Sequence, residues 1–231
     1  SVVIPESVVN LNGNPFCRWD GELKCLSPYF IYEDDVLFNK DKSKIIAFSD
    51  KKATSYVIPD SVTSIGGSAF ENCYSLSSLV LPDSVTSIGA WAFSGCSDLA
   101  DIVIPDGVTS IGNYAFCGCY SLTDIVMPDG VTSIGNYTFC GCESLTDIVI
   151  SDGVTSIGDW AFEGCTSLSS VVIPDSVTRI GDHAFKGCES LTDIVIPNSV
   201  TSIGDGAFVL CNFPYNLRQE LISHFGRKIF W

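Results

Sequence analysis

Cysteine is the residue type with the most chemistry to offer here, with 11 thiols in 231 residues. Seven of them, Cys73, Cys96, Cys119, Cys142, Cys165, Cys188 and Cys211, follow one another at intervals of 23. Thiols can ligate zinc, exchange disulfides, or fill a core as small apolar groups. Zinc needs four ligands converging as a tetrahedron, whereas one thiol per repeat makes a column, so the ladder reads as packing. Cys117-Gly118-Cys119 and Cys140-Gly141-Cys142 add a further thiol to two consecutive repeats. Cys117 and Cys140 should stand side by side at ~5 Å, within the span of a disulfide. A zinc site on all four of these thiols is the alternative. Cys17 and Cys25 could close a small loop near the N-terminus. An odd total leaves at least one thiol unpaired. So many thiols suit a reducing environment or the surface of an anaerobe, and the sequence does not choose between them.

Carboxylates recur with the same period. Asp101, Asp124, Asp147 and Asp193 form one ladder, and Asp60, Asp83, Asp106, Asp129, Asp152 and Asp175 another. Calcium would need six to eight oxygens converging on a point, which a column does not supply. Repulsion between carboxylates ~5 Å apart in water is only about 0.8 kcal/mol, so solvated ladders are tolerable without an ion. A threonine ladder (Thr63, Thr86, Thr109, Thr132, Thr155, Thr178, Thr201) could form an ice-binding array, but threonine is also an ordinary exposed strand residue. Arg179 would interrupt the adjoining serine column. The two histidines, His183 and His224, lack the partners of a triad or a metal site, and neither a phosphate-binding loop nor an H-E-x-x-H helix is present. No catalytic, metal or cofactor residues are therefore assigned. A net charge of −15 disfavours nucleic acid and anionic membrane surfaces, and no apolar run is long enough to span a bilayer.

What must position these ladders is an array of 23-residue units. Ile58-Pro59 recurs as Leu81-Pro82, Ile104-Pro105, Met127-Pro128, Ile150-Ser151, Ile173-Pro174 and Ile196-Pro197 without insertion. A period in this range is the mark of a solenoid whose coils share one core. In Leu76-Ser77-Ser78-Leu79-Val80-Leu81 the leucines should face inward from a strand. Pro82-Asp83-Ser84 should follow as a type I turn with proline second. Val85 and Ile88 point inward from a second strand. Gly89 then answers to a positive φ or to a close approach of the neighbouring coil. Phe93, Cys96 and Leu99 at spacings of three predict a helical or 3₁₀ turn. The fold class is thus a β-rich α/β solenoid, a right-handed superhelix of 23-residue coils. Coils ~4.8 Å apart would make eight of them only ~34 Å deep.

The run Ile-Pro-Asp-Ser-Val-Thr-Ser-Ile-Gly-x-x-Ala-Phe-x-x-Cys-x-Ser-Leu resembles the BspA-type (Treponema pallidum-type) leucine-rich repeat over nearly the whole chain. Residues 29–42 also resemble an insertion common in that family. The resemblance implies surface-exposed, adhesive proteins of host-associated microbes and no shared catalytic site. The expected organisation is a degenerate first repeat plus β-hairpin over 1–57, seven leucine-rich repeats over 58–211, and a helical cap over 212–231. The hairpin would join Val36–Phe38 to Ile45–Phe48. The helix would start on a capping box at Asn216-Leu217-Arg218-Gln219 and stop at Gly226. Ser1 opens on the end of a repeat strand with no signal peptide visible, as an excised piece of a longer protein would, so location rests on the resemblance: cell surface or secreted.

Two functions fit. One is a non-catalytic binding scaffold for a protein or glycan; the other is a passive spacer, which the similarity of the coils favours. Two residues before each inward phenylalanine stand Trp91, Tyr114, Tyr137, Trp160 and His183. In a helical turn they would lie ~200° from the phenylalanine and face outward or along the edge. They should stack on one another, and they are the candidate contact surface.

Overall fold

The strand Asp124–Val126 buries Ile125 and exposes both its neighbours, so it can satisfy its backbone only against the equivalent strand of the next coil. In a computed structural model, which describes residues 1–17, 19 and 21–231, that pairing builds a solenoid of about nine coils of ~23 residues with little helix. Asp124–Val126 runs parallel to Asp147–Val149, and Ser170–Val172 to Asp193–Val195, each residue opposite its counterpart one repeat on. The second strand of each coil does the same. Ser133–Ile134, Ser156–Ile157, Arg179–Ile180 and Ser202–Ile203 form one parallel sheet. Towards the N-terminus, Ser110–Ile111, Ser87–Ile88 and Ser64–Ile65 continue onto Lys44–Phe48. That strand turns antiparallel to Val36–Asn39, itself antiparallel to Phe30–Glu33.

The core is a set of columns. Phe70, Phe93, Phe116, Phe139, Phe162, Phe185 and Phe208 are fully buried, and neighbouring rings lie 5.1–5.8 Å apart. Burying each is worth roughly 1.5–3 kcal/mol, and no coil could achieve it alone. Each ladder thiol from Cys96 to Cys211 donates to the carbonyl of the phenylalanine 26 residues earlier, at 3.1–3.3 Å. The thiol therefore both fills space and ties its coil to the coil before.

Three local expectations need correction. The turn after each strand is shifted by one residue: Val85 N–H donates to Pro82 O, so proline is first in the turn and Asp83-Ser84 are its centre. The stretch from residue 89 to 99 keeps the i→i+3 bonding of a 3₁₀ turn but is no continuous helix. Separate i→i+3 bonds (Ser94 to Trp91, Cys96 to Phe93, Leu99 to Cys96) make a string of turns. It cannot propagate as helix because Trp91 (φ 55°) and Gly95 (φ 74°) are left-handed. The capping box is also absent. The C-terminal helix spans Tyr215–Phe225 behind Pro214, and no side chain caps it, which leaves Asn216 inside. Proline lacks an N–H, and its fixed φ suits a helix entrance. Gly226 does end the helix, with φ 83° and its N–H on Ile222 O.

Gly89 serves a close approach: a Cβ there would lie 2.5 Å from Gly67 N. At the C-terminal end, Phe208 N–H donates to Ile229 O and Gly206 N–H to Lys228 O. The 3₁₀ segment Arg227–Phe230 thus takes up donors that would otherwise be unpaired, while Leu221 and Phe230 cover the last core layer. At the other end Val2–Ile4 pairs with Leu23–Cys25 over a small separate core of Ile4, Leu23, Phe30, Leu37, Ile46 and Ala47.

Candidate functional site

Trp91, Tyr114, Tyr137, Trp160 and His183 do form a column. Their centroids are 5.0, 4.5, 5.7 and 4.0 Å apart in succession, and the first three pairs are stacked within 13° of parallel. They point outward for a different reason from the helical one: all five have φ between 54° and 60°. A side chain in the left-handed region costs roughly 1–2 kcal/mol. The flanking coils put Ser68 and Gly206 at this position. Backbone preference would place glycine here, so the rings persist because stacking offsets the strain, at about 0.5–1.5 kcal/mol per pair. Stacking also occupies their faces. Trp91 is exposed and the other four are half-buried. Ser68, in the coil before Trp91, offers no ring to continue the stack, and Trp91 is 43% exposed. Lys186 Nζ lies 4.8 Å over the Trp160 ring and 3.1 Å from Glu163 Oε1.

Beside the column, three residues after each aromatic, Cys117 and Cys140 occupy the place of Ser94. They are half-buried free thiols on adjacent coils, not a disulfide. Cys140 reaches Glu163 Oε2 at 3.8 Å. The polar bond with the neighbouring Cys140 thiol draws the Cys117 thiol down. That same bond, then burial, then the nearby charges of Cys117 and Glu163, push Cys140 up. The ladder thiols Cys119, Cys142, Cys165 and Cys188 are raised by burial, and Cys211 is pushed to about 12. Cys25 donates weakly to the carbonyls of Ser27 and Phe30, so no Cys17–Cys25 bridge forms.

The threonine hydroxyls are already engaged. Thr86, Thr109, Thr155, Thr178 and Thr201 each donate to the carbonyl of the threonine one coil before. Among the described residues no group of three or more His, Cys, Asp or Glu could hold a metal ion. His183 lies against Trp160, and His224 Nδ1 is 3.0 Å from Glu220 O on the C-terminal helix.

Sequence reasoning overlooked two columns. Asn113, Asn136, Asp159 and Asp182 each accept the backbone N–H one coil later through Oδ1, at 2.9 Å. This is a side-chain ladder beside the sheet. The second is functional in kind. Val57, Val80, Val103, Val126, Val149, Val172 and Val195 face outward, 51–75% exposed. Strand alternation asks for a polar residue at a solvated position, and valine in seven successive coils was the signal. Two residues before Val103, Val126, Val149 and Val195 stand Asp101, Asp124, Asp147 and Asp193, exposed on the same face. The result is a column of exposed valines with an acidic border.

The BspA type leucine rich repeat region matches in six copies, over residues 44–166 and 109–231. A leucine-rich repeat protein of Eubacterium ventriosum superposes with a TM-score of 0.82 at 29% identity, covering 92% of this chain and 59% of its own. The Treponema pallidum leucine-rich repeat protein gives 0.75 at 36% identity, covering 84% and 92% respectively. A leucine-rich cell surface protein of Faecalibacterium prausnitzii gives 0.64 at 28%, covering 80% and 75%. No curated protein matches. With the motif, the coil geometry and these likenesses in agreement, the chain belongs to the BspA-type leucine-rich repeat family.

Proposed function

We propose that this protein is a non-catalytic binding scaffold, a cell-surface or secreted adhesin-like module whose strand face holds a protein partner. The exposed valine column carries this reading. A contiguous apolar strip rimmed by polar groups is the signature of an interaction site, and solvent alone gives no reason to keep it. Asp101, Asp124, Asp147 and Asp193, with an overall charge of −15, favour a partner whose apolar contact residues are bordered by Lys and Arg. Leucine-rich repeats generally serve as protein-binding scaffolds, and a surface location is supported by the F. prausnitzii relative. The scaffold is one continuous array: 1–57 with its hairpin, repeats over 58–211, and the cap over 212–231.

The aromatic column is first a stacking spine. The exposed ring of Trp91 is its one site suited to a glycan or protein ring contact, because the other ring faces are occupied. The spacer reading is favoured by the likeness of the coils at other outward positions, and one experiment separates the two. A variant with Val103→Lys, Val126→Lys and Val149→Lys is compared with the parent for binding to a panel of purified extracellular-matrix proteins, alongside thermal melts. The scaffold reading expects binding by the parent and its loss at nearly unchanged stability. Absence of binding by the parent favours the spacer. Binding unaffected by the lysines removes the strand face, and loss on Trp91→Ala in its place moves the site to the aromatic column.

A further inference from the structure

The two thiols outside the core ladder have a geometry that the scaffold role does not use. Cys117 and Cys140 occupy equivalent positions in adjacent coils, and Gly118 N–H donates to Cys140 O at 2.8 Å, which locks that register. Coils paired this way stand ~4.8 Å apart, within the Cα separation a disulfide spans. Both thiols are half-exposed, whereas the ladder thiols are buried, and each is the largest influence on the acidity of the other. Each Cys N–H is bonded to the carbonyl of the stacked tyrosine before it, Cys117 to Tyr114 and Cys140 to Tyr137. Glu163 follows as the next residue along the same column, its carboxylate against Cys140, with Lys186 paired to it beyond.

We propose that Cys117 and Cys140 are a redox-active dithiol site that reacts with low-molecular-weight disulfides and closes into a bridge between the two coils. Cys117, as thiolate, attacks one sulfur of the small disulfide. The S–S bond breaks, a mixed disulfide forms on Cys117, and the departing thiolate takes up the proton Cys117 had lost to solvent. Cys140 passes its proton to the Glu163 carboxylate and attacks Cys117 Sγ. The Cys117–Cys140 bond forms and the second small thiolate leaves with that proton. In balance, two protein thiols are oxidised to one disulfide and one small disulfide is reduced to two thiols. The roles are not interchangeable. Cys117 is the thiol drawn down by its neighbour and supplies the thiolate, while Cys140, whose S–H is directed at Glu163, keeps its proton until that base removes it. Closure would pin the Tyr114–Tyr137 stack and staple the middle of the array, coupling the aromatic column to the redox state of its surroundings.

The test treats the reduced 231-residue chain with 2-hydroxyethyl disulfide under native conditions, quenches with an alkylating agent, and reads intact mass and proteolytic peptides. The expected result is loss of two hydrogens, mapped to a 117–140 bridge, with the ladder thiols alkylated only after unfolding. Cys140→Ser should arrest as a stable mixed disulfide on Cys117. Cys117→Ser should leave Cys140 reacting at least ~10-fold more slowly than Cys117 does in Cys140→Ser, because the protonated thiol is a poor nucleophile. Both serines copy Ser94 of the preceding coil, and the wild-type mapping needs no variant at all. Absence of a 117–140 bridge in the wild type, or equal reactivity of the two single variants, would overturn the proposal.

Discussion

Tyr137 can be replaced by alanine and, separately, by glycine, and the order of the two stabilities tests the account of the aromatic column. The ring lies between Tyr114 at 4.5 Å and Trp160 at 5.7 Å, almost parallel to both, on a backbone with φ 56°. Either substitution removes two stacked contacts, about 1–3 kcal/mol at ~0.5–1.5 each. Alanine keeps a Cβ in the left-handed region, at roughly 1–2 kcal/mol, and glycine does not. Glycine returns about 0.5–1 kcal/mol of that through its greater freedom in the unfolded chain. The difference leaves glycine ahead of alanine by about 0.75 kcal/mol at the central values, within a span of ~0–1.5. A helical turn would give the reverse order, with glycine about 1 kcal/mol worse. At ~2–4 °C per kcal/mol for a chain of this size, the glycine variant should melt about 1.5–3 °C above the alanine variant. Far-UV circular dichroism during heating, repeated in urea, reads the order directly. Alanine at or above glycine refutes the strain argument, and alanine equal to wild type refutes the stacking argument.

Other consequences follow from the same columns. Phe139→Ala, in the middle of the buried ladder, should cost ~3–5 kcal/mol in urea denaturation, and a loss below about 2 would contradict a continuous core. A Cβ on Gly112 would run into Ala90 N, whereas one on Gly107 meets Asp83 O at 3.4 Å and Val85 O at 3.6 Å. Gly112→Ala should therefore lower stability by ~1–3 kcal/mol while Gly107→Ala changes it little, and equal effects on melting would reject the close-approach argument. Burial holds the ladder thiols from Cys119 to Cys211 protonated in the fold, whereas Cys73 is drawn down beside Cys96; in the unfolded chain all of them ionise near pH ~8.5. The unfolded state then binds fewer protons, so stability is full below that pH and is lost as pH rises towards the folded values, about 12 for Cys211. Melting temperatures measured from pH 7 to 10.5 should fall across that window, and a flat profile would contradict burial of the thiols.

The period was legible because solenoid cores repeat in sequence what they repeat in space. Leu76, Leu79, Leu81, Val85, Ile88, Phe93 and Cys96 are all buried, as a 23-residue pattern of apolar residues requires. The antiparallel pairing of Val36–Asn39 with Lys44–Phe48 and the stop at Gly226 were readable too, since both depend on local signals. Local backbone conformation was not. Spacings of three around Phe93 satisfy a helix and a string of turns equally, and only stacking between coils, with bonds such as Phe93 N–H to Ala115 O, pulls each unit away from its own i→i+4 bonds. The aromatics could be named from sequence, but their left-handed φ could not, because it is imposed by neighbours 23 residues away. The valine strip hid for a related reason: valine suits a strand inside or out, and only the registered pairing of coils shows which. Whether Cys117 meets Cys140 likewise depends on register, which belongs to the assembled array and not to any one repeat.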